Sequence, residues 1–528
     1  MGKISVLDCT LRDGGYINDW NFGERAIKDI SRKVVRTGIE YFEIGFIKDV
    51  KYNPDRSIFS GNEDFSYIVG KKDNNVIYFG MADMNSPMPL EKLGKRVPEG
   101  FDGIRVIFKK NKIDEGYEYC KKAIEAGYIT TAQLVGTYEY SDVELVETVK
   151  KFNKLDILGL SIVDTFGLIE KKDFLRMVSL IDHNLRDDIA LCYHSHNNLQ
   201  QAMGNASALV EQNLKRDIII DACIFGMGRG AGNLNMELFV QYLNENYNKN
   251  YRVEPFLEII DEYLNDIYRK EFWGYSLPYY LSAVNGCHPN YAKFFAEKGT
   301  LTVKAFKEIL RTIPSGTKEI YKRESAEKIY IDFMENFEDD KECIDTLRTG
   351  FQGRDVLMIG SGSSVKNERQ KIQDYIDKNN PITVSLNYIP DDIKVDYVFS
   401  CHMRRFRNIQ DKEGVTKIIT SNIRDAKKYD YKVNFSSYAA DKIEIMDNSG
   451  VMFVKLLIDL GIPKVTLAGM DGYSTDNINN YINSGLEYGF SKEMLELRNK
   501  LIKENLHELS GNISIEYLTD SIYKQEER

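Results

Sequence analysis

The chain has 528 residues, 28% of them charged and 43% hydrophobic, with a formal net charge of -10. A chain this long divides into two or three domains, each able to bury a core. The acidic balance gives no electrostatic reason to expect nucleic acid, and 33 tyrosines argue against an extended disordered chain. No apolar run reaches the roughly 20 residues that a bilayer span needs. The seven cysteines are scattered and never in C-x-x-C spacing, which fits reduced thiols. The N-terminal Lys3-Ile4-Ser5-Val6-Leu7 resembles neither a signal nor a transit peptide, so a cytoplasmic enzyme is expected. The short basic run Arg404-Arg405-Phe406-Arg407 reads equally well as a solvated loop or as an anion site.

Eight short β-like runs, at 3–8, 40–44, 76–82, 103–108, 129–135, 157–163, 189–194 and 218–224, alternate with amphipathic stretches such as 25–35. This alternation predicts an α/β fold, a (β/α)8 TIM barrel over residues 1–240. Residues 241–350 read as a helical extension and linker, with Pro and Gly breaks around 277–289 and 312–316. Within it the charged stretch 321–342 is expected to be a solvated helix bridging two domains. Residues 351–528 carry a second α/β pattern: 355–359 leads into Gly360-Ser361-Gly362-Ser363-Ser364, and strand-like runs follow at 382–386, 395–399, 417–420 and 464–468. A Rossmann-like domain is expected there.

The chemistry-bearing residues collect at predicted strand ends. His194 and His196 are two apart on the seventh run, so both point to one face if the strand continues through them. The first strand ends in Asp8-Cys9-Thr10-Leu11-Arg12-Asp13-Gly14-Gly15, and the eighth in Gly226-Met227-Gly228-Arg229-Gly230-Ala231-Gly232-Asn233. All three ends lie on the C-terminal rim, where barrels of this kind build their sites. An H-x-H pair alone is more often packing than ligation; joined to a rim aspartate and a glycine-rich neighbour it reads as a metal site. Two imidazoles and a carboxylate leave positions open for water or substrate, as Lewis-acid chemistry requires. The stretch Gly226–Ala231 also fits a relaxed dinucleotide pattern, but it opens no βαβ unit of its own, so no nicotinamide is expected there. Arg105, Gln133, Asp164 and Thr165 also stand near strand ends, as positions that could meet substrate.

These three motifs, Leu7-Asp8-Cys9-Thr10-Leu11-Arg12-Asp13-Gly14, His194-Ser195-His196-Asn197-Asn198 and Gly230-Ala231-Gly232-Asn233, resemble the signatures of the metal-dependent aldolase, lyase and synthase superfamily. Its members include 4-hydroxy-2-oxovalerate aldolase, isopropylmalate synthase and hydroxymethylglutaryl-CoA lyase, and Glu237 after the last motif tilts the resemblance toward the first. The resemblance implies that Asp13, His194, His196 and Asn233 hold a divalent cation, manganese or magnesium first, cobalt or zinc as alternatives. It also implies a 2-oxo acid such as pyruvate, an aldehyde partner, and an enolate whose charge the cation and Arg12 stabilise. Glu43 would orient a water or Arg12. Where the oxovalerate aldolases keep an acid-base histidine, this chain has Tyr16; a free tyrosine is a weak base at neutral pH. His288 and Tyr291 are further proton-shuttle candidates if their segment folds over the barrel mouth.

In the C-terminal part, Gly360-Ser361-Gly362-Ser363-Ser364, Ser385-Leu386-Asn387-Tyr388 and Asp447-Asn448-Ser449-Gly450 resemble Rossmann-like bacterial sialyltransferases and related polysaccharide-pathway proteins. That resemblance implies a CMP- or CDP-linked ligand, such as a nucleotide-sugar, near Gly360, Gly362, Ser363, Asn387, Ser449 and Gly450. The expected function is a metal-dependent aldolase or lyase serving surface-polysaccharide synthesis, the chain forming a homodimer. Two alternatives stand beside it: an acetyl-CoA-dependent Claisen synthase, and a nucleotide-sugar transferase or binding protein with an idle barrel.

Overall fold

The computed structural model describes residues 2–299, 301–336, 338–474, 480–482 and 489–524, and falls into two compact units, Met1–Ala292 and Lys293–Arg528. The first unit is built on β1 (Ile4–Asp8), β2 (Tyr41–Ile47), β3 (Ile58–Phe59), β4 (Ile77–Asp83), β5 (Gly103–Lys109), β6 (Ile129–Val135), β7 (Gly159–Asp164), β8 (Ala190–Ser195) and β9 (Ile218–Ala222). Eight of these pair in parallel in the order β1-β9-β8-β7-β6-β5-β4-β2. Leu7 opposite Tyr41 and Asp8 opposite Phe42 then close the ring. The expected TIM barrel is therefore present. β3, two residues long and paired outside β2, is too short to leave a pattern in the sequence.

Helices between the strands follow from local chemistry. Ser141 caps the helix Asp142–Phe152 by accepting from the Glu144 N–H, while the Glu144 carboxylate accepts from the Ser141 N–H, so two of the helix's orphan donors are satisfied. Leu145, Thr148, Val149 and Phe152 then recur at helical spacing and are buried.

Alternation along each strand sorts side chains into two cores. Val6, Phe42, Ile104, Leu134, Ile162 and Ile220 belong to the large apolar layer shared with the helices. Leu7, Phe79, Ala190, Cys192 and Ile219 form a separate cluster that plugs the barrel's interior. Next along the inward-facing positions the interior turns polar, with Glu43, Arg105, Gln133, Ser161 and Asp221 all buried. A register shift between Glu43 and Gly45 marks a bulge at Ile44 of β2. Gly45 is required there, because a Cβ would collide with the Ser57 carbonyl.

The second unit holds β10 (Val356–Ile359), β11 (Ile382–Leu386), β12 (Tyr397–Ser400), β13 (Thr416–Thr420), β14 (Tyr431–Val433), β15 (Lys464–Ala468) and β16 (Ser514–Tyr517), all parallel, in the order β14-β13-β12-β11-β10-β15-β16. The chain winds outward from β10 in one direction, then restarts beside β10 in the other. β14 and β16, short edge strands with half-exposed residues, escaped the sequence reading. The expected bridging helix over 321–342 is corrected. A helix spans Arg323–Met334 and a second begins at Lys341. The first buries Ala326, Tyr330, Phe333 and Met334 within the second unit, and Arg424 donates to the Phe333 carbonyl. No helix among the described residues is long and apolar enough to cross a membrane.

One buried cation ties the barrel's lower face together. Arg216 donates to the carbonyls of Asp182 and Leu185 through Nη2 and of Arg186 and Ile189 through Nη1, while Nε meets the Asp182 carboxylate at 2.5 Å. Arg216→Met takes this donor from four carbonyls, of which that of Arg186 keeps the Ile189 N–H, and a carbonyl left buried and unpaired costs about 1–3 kcal/mol. The variant should lose about 3 kcal/mol or more of barrel stability in urea unfolding; a loss below about 1 kcal/mol would show that water replaces the guanidinium.

Candidate metal centre

The site is assembled where β1, β8 and β9 end. After Asp8 the chain turns sharply, with the Arg12 and Asp13 N–H groups both donating to the Cys9 carbonyl. The Thr10 hydroxyl donates to Asp8 Oδ2 at 2.7 Å and accepts from the Ile224 N–H at 2.8 Å, tying the end of β1 to the end of β9. This turn lifts Arg12 and Asp13 into the barrel mouth. His194 is the last residue but one of β8, and His196 follows the strand at an isolated bridge to Asn233.

Asp13, His194 and His196 converge as a buried group able to hold a cation. Asp13 Oδ1 lies 3.9 Å from His194 Nε2, and Oδ2 lies 3.8 Å from His196 Nε2. Both distances exceed hydrogen-bond length, whereas ligand atoms around a cation bonded at about 2.1 Å stand about 3–3.5 Å apart. The imidazole planes cross at 89°, with centroids 5.5 Å apart. Asn233 completes the set. Its Nδ2 donates to Asp13 Oδ2 at 2.6 Å, to the Met227 carbonyl at 3.0 Å and to Cys223 Sγ at 3.2 Å, which fixes the amide's orientation. Its Oδ1 is buried with no hydrogen-bond partner. An orphaned buried oxygen beside a carboxylate and two imidazole nitrogens fits a divalent cation of borderline hardness.

The protonation states suit that role. Burial pushes His196 down to about 3, against the pull of Asp13, so its lone pair is free at neutral pH. Burial alone would raise Asp13, but Arg12, His196, His194 and the Asn233 amide hold it well below the usual carboxylate range. His194 Nδ1 faces Asp221 Oδ2 at 3.1 Å, which assigns the ring proton to Nδ1 and leaves Nε2 for a cation. Burial works against the Asp221 carboxylate too, and Arg105 and His194 more than offset it.

Arg12 donates through Nη1 to Asp13 and through Nε to Glu43 Oε2 at 2.6 Å, and Arg105 spans Glu43, at 3.1 Å, and Asp221. Glu43 therefore orients Arg12. Of the rim positions, Arg105 and Gln133 are engaged with each other inside the barrel, while Asp164 and Thr165 hold loop N–H groups at its rim. Gln133 accepts from Arg105, Asp164 accepts from the Leu168 and Ile169 N–H groups, and Thr165 accepts from Gly136. Asp221 and Arg229 were not singled out in the sequence. A lone carboxylate in the apolar run Ile218-Ile219-Ile220-Asp221-Ala222 is the signal that marks the former.

Tyr16 stands at the mouth, 38% exposed, with the Arg229 guanidinium 5.0 Å from its ring. Crowding by the surrounding protein, with Asp13 and Asp83 nearby, raises its hydroxyl above the ordinary value, so it keeps its proton at neutral pH. His288 does reach this region: Arg229 Nη1 lies 3.1 Å from its Nε2. Burial and then Arg229 push it down to about 2, so it is a neutral imidazole and a weak base. Tyr291 is completely buried. In the second unit Gly360, Gly362, Ser449 and Gly450 line one cavity. Asn387 turns into the fold in a left-handed conformation, its Oδ1 accepting from Ser400 Oγ and the Cys401 N–H. Ser363 Oγ donates to Asp471 at 3.3 Å.

A family model described as HMGL-like matches residues 111–259. The chain is 25% identical over 250 residues to 4-hydroxy-2-oxovalerate aldolase of Roseiflexus castenholzii, covering 46% of this chain and 71% of the relative. It is 26% identical over 244 residues to 4-hydroxy-2-oxovalerate aldolase 2 of Comamonas testosteroni, covering 45% and 67%. Among solved structures, the HMG-CoA lyase of Bacillus subtilis aligns with a TM-score of 0.40 at 18% identity, covering 51% of this chain and 93% of that one.

The partner of His194 gives a direct check. Asp221→Asn removes the carboxylate that fixes the imidazole's proton, and such changes cost about 10–100-fold in metal affinity. Titration of metal-stripped protein with Mn²⁺ should show that loss with the fold retained; unchanged affinity would remove Asp221 from the site.

Proposed function

We propose, on the premise that the barrel is of the HMGL-like aldolase and lyase family, that the chain is a divalent-metal-dependent carbon–carbon lyase. It would join or cleave a 2-oxo acid of the pyruvate type and an aldehyde. The observation that carries this is the convergence of Asp13, His194, His196 and the unpartnered Asn233 Oδ1 beside the Arg12 guanidinium. A cation held there, manganese or magnesium by preference, would supply the fixed positive charge that a developing enolate oxygen needs.

The chain's own residues divide the remaining work. Arg12, held by Glu43 on one side and Asp13 on the other, presents a pre-oriented guanidinium to the same oxygen without having to reorganise. Tyr16 and His288 both lack the properties of a strong base: one keeps its proton, and the other stays neutral with Arg229 against it. A phenol that holds its proton is suited to donate it to the alkoxide formed when the enolate adds to an aldehyde. Tyr16 is thus assigned as proton donor to the aldehyde-derived oxygen. The resemblance of the second unit's motifs to polysaccharide-pathway proteins is what supports a role in surface-polysaccharide synthesis.

The two half-reactions separate these roles. Wild-type protein with Mn²⁺ should exchange the methyl protons of pyruvate for deuterium, and Asp13→Ala or metal-stripped protein should not; normal exchange in all three would sink the enolate mechanism. Tyr16→Phe should leave that exchange largely intact while slowing aldol turnover by about 10²–10³-fold, within the range of general-acid contributions. Equal losses in both reactions would return Tyr16 to a binding role.

A further inference from the structure

The barrel mouth carries a cation that the metal centre does not use. Lys48 follows β2 directly at the C-terminal rim, two residues after Phe46, so the bulge that turns Phe46 inward turns Lys48 to the same side. Its backbone is pinned, the N–H donating to the Phe59 carbonyl at 2.9 Å and the carbonyl accepting from the Val50 N–H at 3.0 Å. The ammonium lies 4.4 Å from the Phe46 ring centroid and 5.0 Å from that of Trp20. The Tyr16 ring packs on the same pair, 4.8 Å from Trp20 and 6.1 Å from Phe46. Lys48 and the proton donor assigned above therefore share one aromatic platform. Trp20 is held there at some cost, because Asp19 and Trp20 both take positive φ, 53° and 58°, which residues other than glycine seldom adopt. Gly15 leaves room for the indole, since a Cβ there would lie 2.1 Å from Trp20 Cδ1.

What Lys48 lacks is an anion. Among the described residues its ammonium makes no hydrogen bond and no ion pair. Two nearby carboxylates are taken, Asp19 by Arg56 at 2.8 Å and Asp49 by Lys92 at 2.5 Å. Asp83 acts on Lys48 only at longer range, and its Oδ1 accepts from the Asn85 N–H at 2.8 Å. Burial pulls the ammonium below the usual lysine range, with Arg56 adding to that pull, and Asp83 and Asp19 do not make up the difference. The aromatic faces fix where the cation sits but accept none of its three donors. A cation short of both water and a partner gains more from an incoming anion than an exposed one does. Arg229, the other cation against Tyr16, is by contrast already tethered to His288 at 3.1 Å.

We propose that Lys48 selects the aldehyde, by receiving an anionic group, phosphate or carboxylate, at the far end of a short aldehyde whose carbonyl oxygen faces Tyr16 and whose carbon chain lies across Trp20 and Phe46. The inference rests on the metal-enolate reading, which supplies the carbon–carbon step, and adds the charge of the second reactant; the anionic group itself passes through the reaction unchanged. Aldol addition to pyruvate with Mn²⁺ is measured for two matched pairs: glyceraldehyde 3-phosphate against glyceraldehyde, and succinic semialdehyde against butanal. At least one anionic aldehyde should exceed its neutral counterpart tenfold or more in kcat/KM, and the pair that shows it names the group. Lys48→Met, which keeps the stem on the rings, should lower that ratio tenfold or more, chiefly through KM, and Lys48→Arg should restore most of it. Folding is checked by thermal melting, with Lys48→Gln as the substitute if Lys48→Met does not fold. Apart from turnover, glycerol 3-phosphate or 4-hydroxybutyrate, the alcohols of the two anionic aldehydes, should bind the metal-stripped full chain in calorimetry, and at least tenfold more weakly in the Lys48 variant. Equal use of both members of each pair by protein that exchanges pyruvate protons would overturn the proposal. So would an unchanged ratio in a folded Lys48 variant, or loss of the ratio on Arg229→Gln with the Lys48 variants unaffected. Absence of proton exchange would strike the enolate reading instead; the alcohols then decide for Lys48 alone, Lys48-dependent binding supporting the anion site and no binding at millimolar concentration overturning it.

Discussion

The barrel's site depends on a closed circuit of buried charge. Asp13 meets Arg12, Arg12 meets Glu43, Glu43 meets Arg105, Arg105 meets Asp221, Asp221 meets His194, and His194 faces Asp13 again. Every member is almost fully removed from solvent. Breaking a pair in such a place is costly, because it strands a charge that neither water nor another partner can reach. Beside its imidazole the circuit holds three carboxylates against two guanidiniums, a surplus of one carboxylate at the point where the free ligand atoms face each other. A divalent cation held there would convert that surplus into a net positive centre, so the side chains that build the site are also matched to such an ion.

The circuit exists because the barrel is closed. Its members come from the turn after β1 and from β2, β5, β8 and β9, strands that an open sheet would spread apart. In the ring the pairing of β1 with both β2 and β9 brings Glu43 and Asp221 to either side of the same turn. Below them the apolar plug of Leu7, Phe79, Cys192 and Ile219 keeps water from the lower interior, which strengthens each ion pair above it. Trp20 Nε1 and Ser57 Oγ donate to the carbonyls of Arg12 and Leu11, so the turn that carries the key carboxylate is clamped from outside as well.

The barrel and the convergence at its rim were legible because they rest on period: strand-length runs at regular spacing, and two histidines whose separation equals the pleat. Other features rest on relations that sequence order hides. That Asp221 supports His194 depends on β8 lying beside β9 and on which face each residue takes. That the glycine turn after β10 is filled by Asp471 depends on a residue more than a hundred positions away; the turn's own composition, rich in glycine and serine, is equally consistent with an empty anion seat. The same holds for Arg405. In the chain it is one of three arginines in a short basic run, and only the fold separates it from its neighbours by burying it. The helix expected over 321–342 failed for a different reason: charge marked its exposed face correctly, while four apolar residues, spread among those charges, were enough to dock it on one unit.

The bulge in β2 sets the phase of everything that strand delivers to the barrel mouth. Tyr41 and Glu43 point inward, as does Phe79 opposite Glu43; past Ile44 the parity changes, and Phe46, opposite the inward Met81, points inward in place of Gly45. Phe46 then packs against Trp20 and Tyr16, and Lys48 lies 4.4 Å from its ring. One surplus residue thus acts as a half-wave shift along the strand. Pairing Ile44 regularly, with no residue lost, would keep Glu43 in the charge circuit but turn Ile47 and Asp49 inward in place of the aromatic and cationic lining of the mouth, whereas deleting Ile44 would leave Phe46 opposite Met81; the bulge thus fixes what the mouth presents independently of the charged groups below it.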